Sequence, residues 1–231
     1  MKKDVMEKIK HGLIVSCQAR VGWAMYGNSI MAAFAKAAQE GGAVGIRATG
    51  ADNIHAIKEC VDLPIIGINK QFIDGYDVYI TPTYASAEAV LNEGVEILAI
   101  DATNRKRPNG EKLEDIVAKI KSNYPEVLLM GEISTLEEAK AIESLGFDFI
   151  STTLSGYTEA SREVTSVNID LIRSITKELD IPVIAEGKIE TPLQAKQTLE
   201  AGAYAVVVGT SITRPEVITA RYVQEVAKYN I

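Results

Sequence analysis

An α/β fold of the (β/α)8 TIM-barrel class is what the sequence predicts, and three observations predict it. Eight short apolar runs alternate with eight stretches of helical spacing. The runs are apolar almost throughout, where a half-exposed sheet would alternate, so a parallel sheet covered on both faces is expected. The length of 231 residues suits one closed barrel, and no stretch reads as a linker. A single domain over residues 1–231 follows.

In chain order, a strand is predicted at 13–17, then a loop at 18–27 and a helix at 28–40. Strands at 43–48 and 64–69 enclose a helix at 51–61. A helix at 85–92 leads into a strand at 95–100, a helix at 113–123 and a strand at 127–131. Helices at 136–145 and 169–179 enclose a strand at 147–151; strand 181–185, helix 193–201, strand 203–208 and helix 215–228 complete the series. Gly41, Gly94, Gly146 and Gly202 each follow a helix and open the next strand, as a helix C-cap does. Their near-even spacing adds evidence for repeated βα modules.

The stretch 181–215 carries the densest signal. Its two strands end in glycine turns, Ala185-Glu186-Gly187-Lys188 and Gly209-Thr210-Ser211, and the second runs into Thr213-Arg214-Pro215. Glycine turns and a helix start present free N–H groups, which suits a phosphate, and the last two loops of such a barrel are a frequent phosphate site. Tight-turn shaping alone is the plainer explanation; the hydroxyls and Arg214 favour the anion.

Composition bounds the partners. A hydrophobic content of 47% can bury a large core, and a net charge of −7 argues against nucleic acid. Two cysteines, Cys17 and Cys60, give no disulfide framework and fit a reducing cytoplasm. His11 and His55 have no metal-ligand spacing, so no metal is expected. The opening residues resemble a signal peptide, but Asp4, Glu7 and a short apolar run speak against one. No stretch approaches the ~20 apolar residues of a bilayer span.

Chemistry in a barrel belongs at the C-terminal ends of the strands. That rim reads Gln18, Arg47, Lys70, Asp101, Glu132, Thr152, Glu186 and the Gly209-Thr210 turn. The mixture suits a polyhydroxylated, phosphorylated ligand. Lys70 is the base candidate. Lowering its pKa from about 10.4 to about 7–8 costs on the order of 4 kcal/mol, which burial and a nearby cation, Arg47, could supply. Glu186 is either catalytic or a structural ion pair. Asp101 either holds a sugar hydroxyl or caps its loop, and Arg47 could pair with it. Glu132 and Gln18 have weaker cases. Arg105, Lys106 and Arg107 form a basic run, solvated or guiding an anion inward. The loop at 18–27, with Trp23, Met25 and Tyr26, is either a partner surface or a pocket cover.

Eight motifs, GLIVSCQA, GIRATG, PIIGINK, YITPT, AIDAT, STTLSGYT, AEGKIETP and VVVGTSITRP, in this order and spacing, resemble the N-acetylmannosamine-6-phosphate 2-epimerase family across nearly the whole chain. The resemblance implies a barrel of the ribulose-phosphate-binding type and C2 epimerisation without cofactor. It also implies Lys70 as acid/base with Glu186 as its carboxylate partner. Gln18, Arg47, Asp101 and Thr152 would contact the sugar; Gly187, Lys188, Gly209, Thr210 and Arg214 would hold the phosphate. A homodimer and a place in sialic acid catabolism are further implications. Among rivals, a metal-dependent pentose-phosphate epimerase would want rim histidines, and an orotidine-phosphate-type decarboxylase an Asp-x-Lys pair. A non-catalytic sugar-phosphate binder stays open.

Overall fold

The computed structural model describes residues 2–230. Strands β1 (Leu13–Cys17), β2 (Gly45–Thr49), β3 (Ile65–Ile68), β4 (Ile97–Asp101), β5 (Leu128–Glu132), β6 (Phe149–Ser151), β7 (Val183–Glu186) and β8 (Ala205–Val208) close a parallel barrel in chain order. Helix α1 (Lys2–Ile9) precedes it. Helices α2 (Asn28–Glu40), α3 (Ala51–Lys58), α4 (Tyr84–Leu91), α5 (Leu113–Asn123), α6 (Leu136–Ile142), α7 (Ile169–Glu178) and α8 (Pro192–Glu200) follow the first seven strands in turn. After β8 come a short α9 (Thr210–Thr213) and α10 (Pro215–Ala227).

The two-residue period of a strand sorts the apolar residues. Ile14, Ile66, Ile97, Leu128, Phe149 and Ile184 belong to one cluster, the packed barrel interior. Val15, Ile46, Leu98, Leu129, Val183 and Val206 belong to a second, between the strands and the helices. Helices start where the sequence supplies caps: the Thr83, Thr135 and Thr191 side chains each accept from the backbone N–H three residues on, and each threonine's own N–H donates to that residue's side chain. Among the described residues, no helix is long and apolar enough to cross a membrane.

Helix α1 lies where no element was predicted. Its Val5 and Ile9 sit four apart on one helix face and join the interior cluster, Ile9 fully buried. Burying such a side chain contributes about 2 kcal/mol. Gly45 leaves the room for it, since a Cβ there would stand 3.3 Å from Ile14 and 3.6 Å from Ile9. Thus α1 closes the end of the barrel opposite the rim.

Two differences from the predicted bounds matter for the rim. β4, β5 and β7 each run one residue further than expected, so Asp101, Glu132 and Glu186 are strand residues fixed by the ladder. The register sets Asp101, Glu132 and Ser151 level across three strands. The segment after β3, where no element is predicted, turns back on itself. Lys70 and Ile80 form an antiparallel bridge, and Gln71 N–H donates to Tyr79 O at 2.9 Å.

Candidate active site

A cavity of about 790 Å3 opens at the C-terminal ends of the strands, a size usual for small-molecule sites. Its wall includes Gln18, Arg47, Lys70, Glu186, Lys188 and Arg214.

Arg47 organises the floor. It points inward from β2 and is 1% exposed. One terminal nitrogen donates to Glu132 Oε1 and the other pairs with Glu186 Oε1 at 3.1 Å. Burial works against its charge, but the two carboxylates outweigh it and hold the pKa above the usual arginine value. The same crowding acts on Glu186. Burial first, and then Glu132, push its carboxyl up to about 7 against the pull of Arg47, Lys70 and a 3.2 Å hydrogen bond from Thr153 Oγ1.

Lys70 is fixed by its backbone: its N–H donates to Thr49 Oγ1 at 3.1 Å, and its bridge to Ile80 braces the far side. The described residues offer its ammonium neither a hydrogen bond nor an ion pair. Burial, then Arg47, push it down to about 8, with Glu186 and Glu132 pulling the other way. At pH 7 about one amine in ten is then neutral, against about one in several thousand for an ordinary lysine. Proton abstraction by this amine at neutral pH is therefore feasible.

Gln18 and Arg47 each keep a buried atom without a partner among the described residues, Oε1 and Nε. Buried polar atoms are otherwise almost always paired, so both are placed for a polar ligand. Gln18 is oriented by its Nε2 donating to Ser16 Oγ at 2.7 Å.

The opposite wall is built from the β7 and β8 loops. Gly187 has φ +104°, and a Cβ there would stand 3.3 Å from Thr153 O and 3.4 Å from Thr152 O. Lys188, also at positive φ, lays its ammonium 4.5 Å from the Tyr157 ring. Gly209, Thr210 and Arg214 line the same wall. Thr213 Oγ1 donates to Ser16 O at 2.8 Å, and Arg221 bridges Ser211 Oγ and Glu190 at 3.2 and 2.7 Å, tying the loops together. Unpaired N–H groups in the first turn of α9, with nearby cations, suit an anion.

Two residues expected to contact the sugar lie outside the cavity wall. Asp101 is fully buried and does not line the cavity: Oδ1 accepts from Thr103 N–H and Oγ1 at 3.0 and 2.7 Å, and Oδ2 pairs with Arg105 at 2.6 Å. It caps its loop, and it is Glu132 and Glu186, not Asp101, that pair with Arg47. Thr152 is also outside the cavity; its Oγ1 donates to Glu186 O at 2.9 Å and accepts from Glu186 N–H at 3.1 Å, holding the end of β7. The basic run is not merely solvated, because Arg107 is buried and donates to Asp101 O. Thr153, Ser16, Tyr79 and Arg20 line the cavity without having been predicted. Ser16 is hidden inside an apolar run, and Arg20 lies in a loop without periodicity. Only the register of β1 against β2, which sets Ser16 level with Arg47, exposes the first. Among the described residues, no His, Cys, Asp and Glu side chains cluster as metal ligands.

Known proteins bear on this geometry. Residues 31–228 match the family described as "Putative N-acetylmannosamine-6-phosphate epimerase". Relatives carrying the 2-epimerase form of that description include one from Caldanaerobacter subterraneus subsp. tengcongensis, 50% identical over 96% of this chain and 94% of its own length. Another, from Listeria welshimeri, is 46% identical over 99% and 98%. The solved N-acetylmannosamine-6-phosphate 2-epimerase from Clostridium perfringens superposes with a TM-score of 0.91 at 46% identity, covering 95% of both chains. A thiamine phosphate pyrophosphorylase from Pyrococcus furiosus, TM-score 0.59 and 19% identity over 90% and 89%, shares the fold alone. Barrel, rim and relatives together define an isomerase, an epimerase of the (β/α)8 class. The chain belongs to the N-acetylmannosamine-6-phosphate 2-epimerase family.

Proposed function

We propose that the chain interconverts N-acetylmannosamine 6-phosphate and N-acetylglucosamine 6-phosphate by removing and returning the C2 proton. The carrying observation is Lys70, an amine with no partner among the described residues, in a cavity walled by Arg47 and Glu186. In the open-chain sugar the C1 aldehyde acidifies C2–H, so the neutral Lys70 amine takes that proton. Arg47, with Nε uncommitted, stabilises the enolate oxygen more than the ground-state carbonyl. Glu186, poised near neutrality, exchanges protons with the sugar oxygens during ring opening. Gly187, Lys188, Gly209, Thr210 and Arg214 anchor the phosphate and so bring C2 to Lys70. Gln18 Oε1 accepts a hydrogen bond from the sugar. No step of this scheme calls for a metal or nicotinamide.

The test is an NMR time course with N-acetylmannosamine 6-phosphate in deuterated water, without added metal or nicotinamide. Deuterium should enter C2 with turnover; retention of the original hydrogen through many turnovers would end the proton-transfer reading.

The setting we infer is a cytoplasmic, single-domain enzyme of sialic acid catabolism that acts as a homodimer. For the dimer, the support is α10. It buries none of its residues, and Tyr222, Val223 and Val226 stand 72%, 61% and 69% exposed along it. Every other barrel-facing helix buries at least one side chain against its neighbours. A second copy covering this stripe reciprocally would give a two-fold interface. Light scattering should report a dimer, and Tyr222→Glu with Val226→Glu should shift it towards monomer.

A further inference from the structure

Residues 20–27 of the β1 loop contribute to the cavity wall, and the epimerase scheme assigns them no role. Its sequence, Arg20-Val21-Gly22-Trp23-Ala24-Met25-Tyr26-Gly27, makes two successive turns. Trp23 N–H donates to Arg20 O, and Tyr26 N–H to Trp23 O, each at 3.0 Å. Gly22 sits third in the first turn with φ +87°, a conformation glycine adopts without strain. That turn brings Arg20 and Trp23, four residues in sequence, to its two ends.

From there a stack crosses the cavity mouth. The Arg214 guanidinium lies 3.9 Å from the Trp23 ring centre. Arg20 lies 5.5 Å from the same ring and 4.5 Å from Phe72. Phe72 stacks on Tyr79 at 5.2 Å with 14° between the planes. The stack therefore links the β8 loop, the β1 loop and the segment that carries Lys70.

Two features of this stack point to an anion. Arg214 commits only Nε, to Glu216 at 2.7 Å, so both terminal nitrogens of its fork lack a protein partner among the described residues. Arg20 lines the cavity, and the described residues give its guanidinium no carboxylate and no hydrogen bond. A guanidinium seated 3.9 Å over an indole, with its fork uncommitted, is ready for bidentate contact with phosphate.

We propose that the β1 loop is a phosphate-selecting cover. Trp23 is a positioning residue that holds the Arg214 fork towards the cradle, and Arg20 brings a second cation to the same dianion. The inference rests on reading the site as a sugar-phosphate pocket and adds which residues make it demand the phosphate.

Trp23 is the single tryptophan of the chain, so its emission reports on the stack. Titrating inorganic phosphate, and separately N-acetylmannosamine 6-phosphate, should change that emission saturably; unphosphorylated N-acetylmannosamine should not. Arg214→Ala should weaken the phosphate response about tenfold or abolish it. In turnover, Trp23→Ala should raise KM for the phosphorylated sugar about tenfold with kcat within about twofold, and Trp23→Phe should recover most of the loss. Arg20→Ala should raise KM and flatten its dependence on salt. Emission blind to phosphate, or an unchanged KM in Trp23→Ala, overturns the cover. If turnover with C2 exchange persists in that case, the epimerase reading survives. Conversely, a phosphate-responsive emission in a protein that never exchanges C2 hydrogen keeps the cover and removes the epimerase.

Discussion

At the end of β4, Asp101 has every demand met: two donors from Thr103 on one oxygen and Arg105 on the other. At the ends of β5 and β7 the carboxylates are left wanting. Glu132 and Glu186 share the single guanidinium of Arg47, and among the described residues one Glu132 oxygen has no partner and the nearby lysine makes no ion pair. Both clusters are buried and both sit at strand ends. The difference is that the first is balanced and the second is not. A balanced buried pair resists removal of either partner. The unbalanced one leaves Lys70 and Glu186 near the point of titration, where they can exchange protons at neutral pH.

The sharpest test of that contrast is substitution within each cluster. Lys70→Ala should lower kcat about 10³–10⁴-fold, the scale of a lost general base, while inorganic phosphate still binds. Glu186→Gln should cost about 10²-fold or more. Asp101→Asn should leave kcat within about threefold and instead lower stability by about 2 kcal/mol, or roughly 4–8 °C in Tm, through loss of the charge paired with Arg105. Equal kinetic losses in Asp101→Asn and Glu186→Gln would erase the distinction between the clusters.

A smaller effect is the position of the pH limb. If neutral Lys70 is the base, kcat rises with pH through about 8 and levels above it. Glu132 holds the Lys70 pKa up, so Glu132→Gln should move the limb to lower pH. A limb that stays in place, or moves the other way, would place the titrating group elsewhere.

The barrel was legible because its signal is redundant: eight apolar runs, repeated caps and recurrent glycines all say the same thing. Lys70, Arg47, Gln18 and Glu186 were legible as polar residues at the ends of those runs. The unclear cases were settled by register and rotamer, which a one-dimensional pattern does not carry. Asp101 and Glu132 look alike in sequence, each following an apolar run. Arg105, four residues beyond Asp101, neutralises the first, and nothing local marks that partner as inward-turned. Thr152 and Thr153 are adjacent, yet just beyond the end of β6 one turns to the β7 backbone and the other to the cavity. Helix α1 escaped notice because eight residues with two apolar anchors give little periodicity to read.

The smallest effect predicted here follows from the imbalance itself. The pKa of Lys70 is lower folded, about 8, than unfolded, about 10.4. The unfolded chain therefore binds more protons between those values, and stability gains with pH across that window; the cost of burying the amine is complete below about 8. For Glu186, raised to about 7, the sign reverses: its cost appears as pH climbs from about 4.5 and is complete above about 7. Between pH 7 and 8 both costs are present. Replacing the amine by an apolar side chain of similar length should remove one of them, less what Glu186 loses in countercharge. Lys70→Met should accordingly be more stable than the parent at pH 7.5, by on the order of 1–3 kcal/mol, and inactive. Urea titrations at pH 7.5 and 9.5 check this, because the advantage should shrink at the higher pH as the parent is relieved. An advantage that is absent at pH 7.5, or that grows with pH, would mean that Lys70 is accommodated in the fold as comfortably as Asp101.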